Sequence, residues 1–208
     1  PPQTNSAHVG FQQKDTEQYH VTFGGPGIDR ADERRFALAI LDAVFGGSTS
    51  SRLFREIREK RGLAYAVGSY TQQFVDGGLI GVYVGTREDN VGEACESIGS
   101  ELAHLHAEGI TDQELARAKE HVKGRMVMSS ESTAARMGRL GKAVLFDTPL
   151  LTLDEMLARV DEVSADDVAE LADEFYAPEA LSAAAIAPSE ERFRAALAPV
   201  SESLAAAA

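Results

Sequence analysis

Alternating apolar and polar residues mark the first two segments of the chain as extended. Residues from about Ala7 to Gln12 and from Gln18 to Phe23 flank the charged turn Lys14-Asp15-Thr16-Glu17, and Tyr19, Val21 and Phe23 share one side. A period of two suits a strand with one buried face. Gly24-Gly25-Pro26-Gly27 is expected to break the second strand. The period then lengthens. Phe36, Leu38, Ala39, Leu41, Val44 and Phe45 make the broad apolar face of a helix, with Asp29 or Asp32 placed to cap it. A second helix is predicted from about Ser50 to Lys60 and ends at Gly62. Two strands follow, Ala64 to Phe74 and Leu79 to Thr86, joined by Asp76-Gly77-Gly78, whose glycines would supply the positive φ of a tight hairpin.

From Asp89 to about Asp173 the pattern is helical almost throughout, with breaks near Gly109, Ser129-Ser130, Asp147-Thr148-Pro149 and Ser164. Thr111 followed by Glu114, and Ser164 followed by Asp167, read as capping-box starts. Leu181 to Ala187 reads as a last strand, closed by Pro188 and followed by a short helix. Strands on both sides of a helical block imply an α+β fold, a mostly antiparallel mixed sheet backed by helices on one face. With no internal linker, residues 15–200 form one domain. Residues 1–14 read as a linker and first short strand, and 201–208 as a tail that frays. The polar, proline-led start Pro1-Pro2-Gln3-Thr4 suggests an excised fragment or a processed product.

Composition removes several classes of function. The net charge of −13 argues against nucleic acid, because a phosphate backbone needs a concentrated cationic surface. No apolar run approaches the ~20 residues that span a bilayer, and no signal peptide is visible. The single cysteine, Cys95, lies in a helical pattern and reads as a small core residue. Together these features point to a reducing, cytoplasmic setting.

Candidate chemistry is sparse. The histidines are His8, His20, His104, His106 and His121. A helical zinc site of the hydrolytic kind needs two histidines sharing a face and a glutamate that reaches the bound water. His104 and His106 fall on different faces of a helix, and Glu120-His121 lacks a second histidine four residues away. The expectation is no zinc site in this chain. There is no Gly-x-Ser-x-Gly elbow, and Cys95 has no polar motif around it. The glycine-rich turns lack the lysine of a phosphate-binding loop and the spacing of a dinucleotide loop, so both read as turns, with Ser50 or Ser51 as a helix cap.

The helix from Ser50 onward is more informative. Leu53, Phe54 and Ile57 form its apolar face, while Arg52, Arg55 and Glu59 are expected to point largely to solvent. Arg58 falls at the edge of that face, where its stem can lie on the core and its guanidinium along the rim. Read from the residues alone, Arg58 is a boundary arginine and Tyr65 a core tyrosine with a wet hydroxyl.

The stretch Phe45-Gly46-Gly47-Ser48-Thr49-Ser50-Ser51-Arg52-Leu53-Phe54, followed by Arg58-Glu59-Lys60-Arg61-Gly62-Leu63-Ala64-Tyr65, resembles the carboxy-terminal half of the insulinase/pitrilysin-like zinc peptidases, the family that includes mitochondrial processing peptidase. Further matches are Gln18-Tyr19-His20-Val21, Ala116-Arg117-Ala118-Lys119 and Glu131 to Gly141, so the resemblance covers about residues 15–190. It implies a half-domain of a two-half clamshell metallopeptidase. In that family the amino-terminal half carries His-x-x-Glu-His and the zinc, and the other half supplies an arginine and a tyrosine seven residues apart. The spacing selects Arg58 and Tyr65 as the catalytic residues, with Arg61 the competing choice for the arginine.

The resemblance thus implies zinc held by a missing partner half and not by this chain. It implies a zinc-bearing amino-terminal half or partner subunit, peptide substrates, and a homo- or heterodimer without nucleic acid or membrane. The isolated chain is expected to be inactive. A scaffold or assembly subunit that has lost catalysis is the competing reading.

Overall fold

The computed structural model describes residues 7–207, so residues 1–6 of the expected linker lie outside the described residues. Strands β1 (Val9–Gln13), β2 (Tyr19–Gly27), β3 (Ala64–Gln73), β4 (Gly78–Thr86) and β5 (Ser182–Ala187) form one sheet in the order β1-β5-β2-β4-β3. β1 runs parallel to β5, and the other neighbours are antiparallel. The mostly antiparallel mixed sheet is therefore present, with β1 and β3 at its edges.

One face is apolar because alternate residues are. Tyr19, Val21 and Phe23 of β2, Ile80, Val82 and Val84 of β4, and Ala183, Ala185 and Ala187 of β5 are all buried. Against this side pack α1 (Arg35–Phe45), α2 (Val91–Glu108) and α6 (Ala165–Phe175). The small alanines of β5 leave room for large side chains from the helices. Phe45 at the end of α1 is fully buried and meets Tyr176 at a ring distance of 4.9 Å. Burying one such ring contributes roughly 2–3 kcal/mol. α3 (Asp112–Glu131) packs on α1, α4 (Thr133–Leu145) packs on α3, and α5 (Leu153–Glu162) packs on α3 and α1. Thr111 and Ser164 close the expected capping boxes, and Thr152 with Glu155 adds one at α5. Cys95 is buried as expected, and burial pushes its thiol up to about 12, well away from thiolate chemistry.

The other face carries His20, Thr22, Tyr70 and Tyr83. His20 Nδ1 and the Tyr83 hydroxyl are 2.7 Å apart, and Thr22 Oγ1 lies 2.9 Å from the Tyr70 hydroxyl. These rings lie on glycine: a Cβ at Gly81 would meet the Tyr70 ring at 2.5 Å, and one at Gly85 the Tyr83 hydroxyl at 2.8 Å. The polar atoms of this side bond one another across the strands.

Several expectations are corrected. β2 does not break at Gly24 but continues to Gly27, paired with β4 throughout. β5 reaches only as far as Gly24, so Pro26, which has no N–H to donate, costs the ladder nothing on that side. The hairpin glycines have no positive φ. Positive φ among the glycines is confined to Gly62 and Gly109, and Gly78 is needed because a Cβ would strike the Ile28 carbonyl. Asp29 and Asp32 do not cap α1 directly, and Asp32 instead accepts from the Arg34 amide just ahead of it. The short helix expected after Pro188 is α7 (Glu190–Ala195), whereas the tail 201–208, expected to fray, carries α8 (Glu202–Ala207), with Leu204 fully buried.

Candidate functional site

Residues 52 to 65 build one corner of the molecule, beside the edge strand β3. Phe54–Lys60 forms a π-helix rather than the expected α-helix. Its N–H groups reach back five residues, a geometry that collects at functional sites. Leu53 and Ile57 are fully buried and anchor it. The wider turn brings residues four apart nearly into line. Arg58 therefore lies over Phe54, its guanidinium carbon 4.7 Å from the ring centroid. Gly62, at φ 64°, turns the chain out of the π-helix, where a side chain would be strained.

Leu63 is then pinned from both sides. Its amide donates to the Ile57 carbonyl, while its own carbonyl accepts from Thr86 Oγ1 at 2.6 Å and Asn90 Nδ2 at 3.2 Å. β3 begins with a bulge: Ala64 pairs with Thr86 and Ala66 with Gly85, leaving Tyr65 unpaired across the strand. A bulge re-aims the side chain that it carries. Tyr65 is 76% exposed, which corrects the expectation of a core tyrosine. Its ring stacks on Arg58 at 4.1 Å, so the guanidinium is shared between Phe54 and Tyr65. Such stacking fixes the head while leaving its N–H groups free to donate.

The competing arginine is occupied. Arg61 reaches Glu56 at 3.1 Å and Glu93 at 3.5 Å. Arg58 has no carboxylate partner, and the Tyr65 hydroxyl makes no hydrogen bond among the described residues. Arg52, expected in solvent, is instead mostly buried and forks onto Glu114, with Nε to Oε1 at 2.7 Å and Nη2 to Oε2 at 2.8 Å. Nη2 also donates to the Gly109 carbonyl at 2.8 Å. This pair clamps the start of the π-helix to the start of α3. Sequence reasoning missed it because its partners are separated by 62 residues.

Burial alone would raise the Glu114 carboxyl, but the Arg52 fork and the Thr111 amide outweigh burial and hold it down at about 2. A carboxyl lowered in the folded state stabilises the fold above its ordinary value near 4.5, and that contribution fades as pH falls toward 2. Glu114→Gln is expected to cost about 1–2 kcal/mol at neutral pH, discounted for the partial exposure of the pair. Urea unfolding at pH 6 and pH 3 checks this. The gap between wild type and variant should narrow at the lower pH, and a constant gap would show that the pair carries no charge-dependent stability.

Beneath the Gly46-Gly47 turn, burial holds the Asp42 carboxyl above the ordinary range, opposed by a 2.6 Å bond from Ser69 Oγ. That bond ties the end of α1 to β3. The histidines are scattered. His104 faces Glu101, His106 binds Asp173 at 2.6 Å, and His20 belongs to the open sheet face. Among the described residues no group of three or more His, Cys, Asp and Glu side chains is placed to share a metal ion. No helix among the described residues is long and apolar enough to cross a membrane.

Comparison with known proteins agrees with this architecture. Residues 1–122 match the family model described as the peptidase M16 inactive domain. An uncharacterized zinc protease of Streptomyces coelicolor is 48% identical over 74% of this chain and 33% of its own length. One of Bacillus subtilis is 39% identical over 86% of this chain and 43% of its own. The chain thus spans between a third and about two-fifths of the length of these curated relatives. Among solved structures, a peptidase M16 inactive domain from Pseudomonas fluorescens superposes with a TM-score of 0.80 at 25% identity, covering 88% of this chain and 44% of that one. A Helicobacter pylori protease reaches 0.81 at 22% identity over 90% of this chain and 45% of its own. This chain belongs to the peptidase M16 inactive-domain family.

Proposed function

We propose that this chain is the non-zinc half of a zinc-dependent peptidase, and that Arg58 and Tyr65 bind the scissile carbonyl of a peptide held between the two halves. The observation that carries the reading is the Arg58–Tyr65 stack at 4.1 Å on an exposed corner, with neither side chain committed to a carboxylate. Water attack on an amide builds negative charge on the carbonyl oxygen. A guanidinium and a phenol are donors suited to that charge, and both act most strongly where water is excluded. Zinc, held by the other half, would supply the activated water.

Two surfaces support a missing half. The sheet face of His20, Thr22, Tyr70 and Tyr83 is not covered by a helix, and α4 buries none of its residues. Met137 and Val144 of α4 are 71% and 84% exposed, two apolar side chains on one helix face two turns apart. The relatives' greater length is consistent with a second half that covers such surfaces.

The chain alone is expected to bind no stoichiometric zinc and to cleave no peptide. Metal analysis after dialysis against trace zinc, beside a fluorogenic peptide assay, tests both. One tightly held zinc per chain, or chelator-sensitive cleavage by the pure chain, would overturn the reading. Addition of the zinc-bearing half should restore cleavage. An assembled protein that still cleaves nothing would favour the scaffold reading.

A further inference from the structure

A cavity of about 470 Å³ opens where α1, α3, α4 and α5 meet the loop between α4 and α5. Arg30, Arg35, Arg139 and Lys142 line it with one carboxylate, Glu33. In a chain of net charge −13, four cations around one cavity run against the overall composition. Glu33 is already engaged by Arg35 at 3.3 Å. Arg30, Arg139 and Lys142 have no carboxylate partner among the described residues.

The arginine heads are held without being neutralised. Arg30 donates from Nη2 to the Gln73 carbonyl at 2.9 Å, stacks on Phe146 at 4.5 Å, and keeps a buried Nε with no hydrogen-bond partner. Arg139 donates from Nη1 to the Leu151 carbonyl at 2.6 Å. The stack on Phe146 and the bond to Leu151 tether residues 146–151 over the cavity, and tethering is the simplest account of the two arginines. It uses one or two of the five N–H groups of each and places no negative charge beside them. Lys142 stands exposed at the rim, and its ammonium makes no bond among the described residues, so it is free to meet a ligand. The remaining walls are apolar, with Phe36, Met126, Pro149 and Leu150 among them. The volume falls within the usual range of small-molecule sites.

We propose that this cavity binds an organic phosphate of mononucleotide size, its dianionic head on Arg30, Arg139 and Lys142 and its apolar body against Phe36 and Met126. Three unpaired positive charges call for at least two negative ones, and the planar guanidinium fork fits phosphate oxygens two at a time. The site lies at the Gln73 end of β3, whereas Tyr65 lies at the opposite end. The proposal therefore stands independently of the peptidase reading.

Isothermal titration calorimetry on the folded 208-residue chain tests it with three probes: AMP as the organic phosphate, inorganic phosphate as the bare head, and octanoate as a singly charged apolar anion. AMP should bind, less tightly as salt is raised, with the other two at least about tenfold weaker. Lys142→Gln should weaken AMP about tenfold, since a charge-assisted bond is lost from a side chain that holds nothing else. Arg139→Gln should do the same, and Lys142→Gln keeps the test decisive if Arg139→Gln fails to fold. Arg55→Gln, an exposed change outside the cavity, should leave AMP binding unchanged. No heat with AMP at millimolar concentration, equal affinity for all three probes, or wild-type AMP affinity in Lys142→Gln would overturn the site.

Discussion

Tyr65→Phe, in this chain joined to the zinc-bearing half proposed for it, is expected to lower kcat by about 10²- to 10³-fold while KM and the melting curve stay near wild type. The variant loses one hydroxyl. That hydroxyl makes no hydrogen bond among the described residues, so the fold has nothing to lose with it. The ring stays, and with it the stack on Arg58 at 4.1 Å. A donor realised only in the transition state shows in kcat rather than KM. Arg58→Ala should act on both parameters, because it removes a second donor and uncovers Phe54 and Tyr65. Arg58→Lys should recover part of the charge but little of the activity, since a lysine cannot stack flat between two rings. Arg61→Ala should be mild, as Arg61 is spent on Glu56 and Glu93. Steady-state kinetics on the reconstituted protein, beside melting curves, decide the matter. A kcat within about threefold of wild type in both Tyr65→Phe and Arg58→Ala would reduce the pair to structure.

Gly46→Ala is the change expected to damage the fold most for its size. Gly46 ends α1, where its amide and that of Gly47 both bond the Asp42 carbonyl. A Cβ at Gly46 would overlap the Ser69 amide nitrogen and come within 2.8 Å of the Gly68 carbonyl carbon. Both are backbone atoms of β3, so neither can swing aside. Gly68 is matched to it, since a Cβ there would meet the Gly46 carbonyl at 2.9 Å. Overpacking against backbone costs about 3 kcal/mol or more. For a chain of this size that lowers the melting temperature by about 6–12 °C. Because β3 also carries Tyr65, the shift should disturb the Arg58–Tyr65 corner as well. Gly62→Ala is a useful contrast: it meets no atom within 4 Å and suffers only from its φ of 64°. Denaturant unfolding of the two variants separates close approach from backbone strain. A loss under about 1 kcal/mol for Gly46→Ala would mean that α1 and β3 can part freely.

Regular elements were legible because their periods are local. The two-residue alternation of Tyr19, Val21 and Phe23 and the helical spacing of Phe36 to Phe45 survive in the structure as buried faces. The capping boxes at Thr111 and Ser164 were legible for the same reason, since cap and partner lie three residues apart. The errors fell where a distant strand overrode a local rule. Glycine and proline at 24–27 read as a break, yet β4 supplies pairing along the whole run, and β5 stops before Pro26 needs a donor. The tail read as frayed because alanines carry little hydrophobic signal, and the burial of Leu204 comes from the folded body.

The candidate site divides along the same line. The residues alone read as a boundary arginine and a core tyrosine; the family resemblance singled out Arg58 and Tyr65 and left Arg61 in competition. What only tertiary structure decided is which arginine is free. Glu93 lies 32 residues beyond Arg61, and its approach to that side chain depends on how α2 packs beside the π-helix. The exposure of Tyr65 is likewise set by a bulge against β4, which no period in the sequence announces. The Arg52–Glu114 clamp and the cationic cavity join residues far apart in the chain. Local chemistry is written in neighbouring residues. Which charges are paired and which are left open is a property of the packed elements, because pairing depends on distance in space.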